Sequence, residues 1–110
     1  MDKRYMALGT SMLVLNLLKQ QSMYGYQIIR ELEQQSQNVF QLKEGTLYPI
    51  LHTLEQQRAV ISFQLAADNG RIRKYYAITP HGQKLLEEKS QEWKVYQTAI
   101  NQMMGGVLFE

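Results

Sequence analysis

Cysteine is absent from the chain. That removes disulfide frameworks, thiolate metal sites and cysteine nucleophiles together, and it suits a reducing compartment. Proline occurs only twice and glycine seven times, so breaks in regular structure are few and each is informative. No apolar run reaches the ~20 residues that a membrane-spanning helix needs. The uncharged stretch from Tyr5 to Leu18 falls short and contains Gly9, Thr10, Ser11 and Asn16. The opening Met1-Asp2-Lys3-Arg4 resembles a signal n-region, but no small-residue cleavage site follows it. The expected location is cytoplasmic, with no membrane partner. An excess of one charge sign is missing too: 12 Lys and Arg against 10 Asp and Glu leave a formal charge of +2. So small a balance predicts no polyanion binding; only the placement of the cations can make that case.

The constellations of an enzyme are equally wanting. His52 and His81 fall on different elements, with no carboxylate four residues on and no metal-ligand spacing. The glycines form no phosphate-binding loop. No catalytic residue, metal site or cofactor is expected.

What is present is an orderly string of elements. A first helix is expected from about Tyr5 to Lys19. Its apolar residues cover almost the whole circumference, so it must be buried on more than one side, the second side against another subunit. Ser22 can cap a second helix, from Met23 to about Gln35, with Gly25, Ile28, Ile29 and Leu32 on one face. A third helix carries Leu47, Ile50, Leu51 and Leu54 at i, i+3, i+4 and i+7. Pro49 interrupts it by lacking an N–H, so that either the regular helix begins near Tyr48 or its first turn is bent. Ile61, Phe63 and Leu65 then alternate with Ser62 and Gln64. After Asp68-Asn69-Gly70, Ile72, Tyr76 and Ile78 share a face. Asn-Gly between alternating runs is a strong hairpin signal, because both residues accept positive φ. Thr79-Pro80 supplies an N-cap and a proline at the first helical position for a last helix ending near Met104. The expected fold is mainly α with a β-hairpin: a winged helix-turn-helix over residues 1–79 and a long C-terminal dimerisation helix within 80–110. Other α+β folds share this order of elements.

Three features carry possible chemistry. The outer face of the third helix and its entry present Lys43, Thr46, Tyr48, Pro49, His52 and Thr53. In a helix-turn-helix such a face meets base edges and phosphates in the major groove, and a solvated core helix would look the same. The hairpin tip and return strand place Arg71, Arg73 and Lys74 within four residues, suited to a minor groove or a phosphate backbone, or merely to a soluble edge strand. In the last helix Leu86, Trp93 and Ile100 recur every seven residues, with Lys89, Tyr96 and Met103 three further on. Apart from Lys89 this is an a/d seam, longer than so small a domain can cover and best matched by its own copy across a two-fold axis. Trp93, the single tryptophan, reads as seam packing or as part of a slot for a planar ligand.

Tyr24-Gly25-Tyr26, Glu44-Gly45-Thr46-Leu47-Tyr48-Pro49-Ile50-Leu51 and Arg73-Lys74-Tyr75-Tyr76-Ala77-Ile78-Thr79 together resemble the PadR family of bacterial transcriptional regulators, over roughly Met6 to Leu86. The short chain with one C-terminal helix looks like the compact subgroup that includes the multidrug-sensing repressor LmrR. The resemblance implies operator DNA as partner, contacted through Lys43, Thr46, Tyr48, Pro49, Arg71, Arg73 and Lys74, and a homodimer. It accounts for Pro49, since family members keep proline at that point of the recognition helix. It also implies a planar aromatic effector at the dimer centre, with Trp93 in the place of the stacking tryptophan and Tyr5, Ser11 and Met12 in first-helix places. Gln97 stands where LmrR has an acidic residue, so neutral or anionic aromatics fit as well as cationic ones. The alternative is a protein-interaction or ligand-binding module that keeps the fold without binding DNA.

Overall fold

The computed structural model describes the backbone of residues 3–105 and the side chains of residues 9–105. Four helices and three strands follow in the order α1 (Lys3–Gln20), β1 (Met23–Tyr24), α2 (Gly25–Gln35), α3 (Glu44–Gln56), β2 (Val60–Ala66), β3 (Ile72–Ile78) and α4 (Pro80–Met103). The expected class holds, with long α4 as its last element. Among the described residues no helix is long and apolar enough to cross a membrane.

The core lies where α1, α2 and α3 meet one face of the sheet. Val14, Leu15, Leu17 and Leu18 of α1 pack with Ile28, Ile29 and Leu32 of α2, and with Leu47, Leu51 and Leu54 of α3. The i, i+4, i+7 spacing of the leucines in α3 places all three on one side of the helix, as the amphipathic pattern requires. Burying side chains of this size contributes about 1.5–3 kcal/mol each before entropy is counted.

The sheet is antiparallel in the order β1-β3-β2. Its first strand was not expected. Met23 and Tyr24 pair with Tyr76 and Tyr75, which buries Met23 and delays the start of α2 to Gly25. Ser22 is therefore not the cap; Tyr24 takes that position without any side-chain cap bond. Pairing with a strand some fifty residues away is a tertiary effect that local capping signals cannot reveal.

The hairpin matches expectation in place but not in mechanism. Ala67 and Arg71 close a three-residue loop: the Gly70 amide donates to the Ala67 carbonyl and the Ala67 amide to that of Arg71. Gly70 alone in the loop takes positive φ, +81°. Asn69 acts through its side chain, Oδ1 accepting from the Arg71 amide at 3.0 Å, as in an Asx turn. The alternation also resolves in an unanticipated sense. Register pairs Val60 with Ile78 and Ser62 with Tyr76 on the core side, and Ile61 with Ala77, Phe63 with Tyr75 and Leu65 with Arg73 on the outer side. Val60 and Tyr76 are buried, whereas Ile61, Phe63 and Leu65 face outward.

The helix ends are closed by specific bonds. After α3, Arg58 has φ +60°, and the Ala59 amide donates to Leu54 while the Arg58 amide donates to Glu55. This is a Schellman ending with arginine in the left-handed position that glycine usually occupies. Gln37 plays the same part after α2, at φ 52°. Thr79 caps α4 as expected, its hydroxyl oxygen accepting from the Gly82 amide at 2.9 Å and its proton reaching back to the Arg58 carbonyl at 2.6 Å. Its own amide donates to Ala59. Thr79→Ala is expected to lower the unfolding free energy by roughly 1–2 kcal/mol, measurable as an earlier urea midpoint at unchanged helix content. Gly82 sits so close above the α3–β2 junction that a Cβ there would overlap the Ala59 carbonyl oxygen and lie 2.8 Å from Ile78 Cγ1.

Candidate nucleic-acid interface

Regular α3 begins at Glu44, a turn before Tyr48. The first of the two expectations raised by Pro49 is thereby corrected. The first turn is tightened, because the Lys43 carbonyl accepts from both the Thr46 and Leu47 amides, at 3.0 Å each. Pro49, inside the helix, leaves the Gly45 carbonyl without its usual donor four residues on. Both residues lie on the exposed side, where solvent can satisfy that oxygen.

With 100° between successive residues, the face opposite Leu47, Leu51 and Leu54 carries Gly45, Pro49, His52 and Gln56, flanked by Thr46 and Thr53. All six are exposed. Thr53 is partly engaged, its hydroxyl donating to the Pro49 carbonyl at 3.0 Å. Lys43 holds the N-cap position with no side-chain cap bond. The Glu44 and Gly45 amides thus have no capping side chain from Lys43, which makes this a favourable place for phosphate.

Tyr48 stands apart from this group. It leans on α2, and Gly25 makes room for it: a Cβ at residue 25 would lie 2.8 Å from the Tyr48 hydroxyl oxygen and 3.1 Å from Cζ. The Tyr-Gly of one segment and the Leu-Tyr-Pro of the other are therefore two halves of one helix–helix contact. Gly25→Ala is expected to cost about 1 kcal/mol in stability, since the phenol can swing aside. Adding Tyr48→Phe, which removes the closest atom, should recover part of that loss in the same chemical-denaturation assay.

In the wing the three expected cations have different surroundings. Arg71 is exposed at the loop. The Arg73 guanidinium lies 4.5 Å from the centre of the Tyr24 ring, a cation–π contact. The Lys74 ammonium is 4.0 Å from Glu55 Oε1 and 5.5 Å from the Tyr76 ring centre. Glu55 belongs to α3, and its other oxygen accepts from the Ser62 hydroxyl of β2 at 3.1 Å. One carboxylate therefore ties both wing strands to the last turn of the exposed helix. Burial raises the pKa of the Tyr76 phenol and nearby Lys74 opposes the rise; the group stays neutral at physiological pH. Sequence reasoning missed Glu55 and the roles that Gly25, Tyr24 and Ser62 play here. The Glu55–Ser62–Lys74 grouping leaves no local periodic signal, because it forms only when the hairpin folds back over α3.

The exposed α3 face, its free N-terminus and the basic wing keyed to its C-terminal end form a winged helix-turn-helix surface. The Transcriptional regulator PadR-like family matches residues 14–88. The chain belongs to that family. Similar proteins are found at the level of both sequence and structure. An uncharacterized protein of Lysinibacillus sphaericus is 34% identical over 95 residues, covering 86% of this chain and 87% of its own. The structure of a transcriptional regulator from Clostridium thermocellum superposes with TM-score 0.77 at 30% identity, covering 84% of this chain and 89% of that one. A PadR family transcription regulator from Clostridium difficile R20291 gives TM-score 0.74 at 32% identity, with 86% and 97% covered. The family and these two structures are of transcriptional regulators, not enzymes.

The residues expected at a seam and ligand slot are distributed as follows. Leu86 is buried in its own subunit's core, whereas Trp93, Tyr96, Ile100 and Met103 are exposed along the far part of α4. The Trp93 and Tyr96 rings lie 5.8 Å apart at a tilt of 32°. Gln97 is exposed beside them, and Ser11 and Met12 of α1 are half-buried. The Tyr5 side chain lies outside the described residues.

Proposed function

We propose that this PadR-like regulator binds a palindromic operator as a homodimer, represses transcription, and is released by a small planar aromatic effector at the dimer interface. The observation that carries the DNA-binding part is the fastening of the basic wing to the exposed recognition helix through Glu55, Ser62 and Lys74. The helix enters the major groove with Thr46, Pro49, His52 and Thr53 foremost. Lys43 and Arg71 reach phosphates on either side, and Arg73 and Lys74 reinforce the wing. Tyr48 acts chiefly by holding the helix against α2. Mobility shifts on the upstream region of the protein's own gene should show nanomolar-range, salt-dependent binding. A stable dimer that retards no DNA from its own locus would favour the interaction-module reading instead.

Support for the homodimer comes from α4. Its 24 residues extend about 36 Å, and the subunit spans 56 Å along its long axis against 28 and 23 Å across. Past Leu86 the apolar seam residues Trp93, Ile100 and Met103 are exposed, and the Asn101 Oδ1 is shielded from solvent with no hydrogen-bond partner among the described residues. Residues 80–110 then serve as the dimerisation element and residues 1–79 as the DNA-binding element, in the cytoplasm and in the manner of the compact LmrR-like subgroup.

The exposed Trp93–Tyr96 pair supports an effector slot beside Ser11, Met12, Gln97 and Tyr5. With Gln97 rather than a carboxylate there, neutral and anionic aromatics should bind as readily as cations. The effector releases the operator only to the extent that it prefers the dimer geometry unable to bind DNA. Since Trp93 is the sole tryptophan, quenching of its fluorescence by planar aromatics reports binding directly. A Trp93→Ala dimer retaining full ligand affinity, measured by calorimetry, would reduce Trp93 to seam packing.

A further inference from the structure

Strand β2 forms one edge of the sheet, paired only with β3. Natural edge strands are usually blunted by lysine, proline or a bulge against pairing with another chain. This one, Val60-Ile61-Ser62-Phe63-Gln64-Leu65-Ala66, has seven residues, no charge and no proline. Its outward-facing side chains are apolar: Ile61 is 56% exposed, Leu65 49% and Phe63 36%.

The order of residues identifies what such an edge would accept. About Phe63 the strand is chemically palindromic: Ile61 mirrors Leu65, Ser62 mirrors Gln64, and Val60 mirrors Ala66. An antiparallel pair made of two copies related by a two-fold axis places each residue opposite its mirror image. With Phe63 on the axis, Ile61 would meet Leu65 of the other copy and Ser62 would meet Gln64, apolar against apolar and polar against polar. A one-residue slip would destroy that match. Beyond the strand ends the same register brings Arg58 level with Asp68 of the other copy, opposite charges that are both exposed. An extended segment of an unrelated protein has no reason to satisfy all four pairings.

The match extends across the sheet. Tyr24, Tyr75 and Phe63 form one row, with ring centres 5.4 Å and 5.9 Å apart. Phe63 against Phe63 would continue that row through the axis and join two three-stranded sheets into a single one.

We propose that β2 is a self-association edge: two copies of this chain join antiparallel through Val60–Ala66, centred on Phe63. This contact is separate from the α4 seam and does not depend on it. In a seam-linked dimer it would connect neighbouring dimers.

Because the chain has no cysteine, single-cysteine variants give a register-specific test. Only residue 63 meets its own copy, at a cross-strand spacing within disulfide reach. Under mild oxidation Phe63→Cys should crosslink roughly tenfold faster than Ile61→Cys or Leu65→Cys, although those positions are more exposed. The double variant Ile61→Cys/Leu65→Cys should match Phe63→Cys. Rates that simply follow exposure, or no crosslink at residue 63, overturn the proposal. A second test leaves Phe63 in place. In sedimentation velocity, Ile61→Lys and Leu65→Glu should each weaken concentration-dependent association by roughly tenfold, and their combination should restore it, since the introduced lysine faces the introduced glutamate. Association that is absent in the wild type, or indifferent to these changes, counts against the edge. Disrupting the α4 seam with Ile100→Glu should leave crosslinking at residue 63 intact, so failure of the seam and failure of the edge are told apart.

Discussion

Gly82→Ala should destabilise this protein severely. The added methyl group would meet the Ala59 carbonyl oxygen and crowd Ile78 Cγ1. The first of these is backbone, held by its bond from the Thr79 amide, so it cannot turn aside as the Tyr48 phenol can at Gly25. Forcing even small extra volume into a close-packed junction costs typically 1–3 kcal/mol and more where backbone must move. We expect about 3 kcal/mol or more here, a large part of the 5–15 kcal/mol available to a small domain. Thermal melts followed by far-UV circular dichroism should show a fall in Tm of more than ~10 °C. A Gly82→Ala protein melting within a few degrees of wild type would mean that α4 can lift off the junction at little cost.

The second large effect concerns DNA. Replacing Arg71, Arg73 and Lys74 together by alanine should weaken operator binding about 10- to 1000-fold near physiological salt. The slope of log affinity against log salt should flatten by up to ~0.9 for each phosphate no longer neutralised. The three cations should not contribute equally. Arg71 is exposed at the loop, whereas Arg73 rests on Tyr24 and Lys74 is shared with Glu55. Arg71→Ala alone should therefore flatten the slope most. Glu55→Gln, which frees Lys74 but loosens the wing from α3, should raise non-specific affinity while reducing discrimination between operator and random DNA. An unchanged slope in the triple variant would remove the wing from the interface.

Much of this architecture could be read from local chemistry. Thr79-Pro80 fixes the start of α4 because a hydroxyl acceptor and a proline at the first helical position act within one turn. The leucines of α3 and the turn at Gly70 are legible for similar reasons. The exposed side of α3 was legible as well, since a helix with one leucine side necessarily presents the other. What escaped depends on partners distant in sequence. Met23–Tyr24 is too short to announce itself as a strand and exists only because β3 lies beside it. Arg58 and Gln37 close helices in a conformation for which glycine is the usual marker, so the endings carried no flag. The outward turn of Ile61, Phe63 and Leu65 reversed the customary reading of alternation, since Ser62 is held on the core side by Glu55 and Val60 is drawn into the core behind Ala59. Gly25 and Tyr48 were each noted, but only the folded chain shows them as a single contact.

Ala59 gives these details a common consequence. Its amide closes the end of the recognition helix, its carbonyl receives the Thr79 amide at the foot of α4, and Gly82 presses the first turn of α4 onto that same oxygen. The next residue begins the wing. No slack loop separates α3, β2 and the foot of α4 at this junction. In the proposed dimer, a tilt imposed at the far end of α4, some 30 Å away, would act directly on this junction and so on the exposed face of α3.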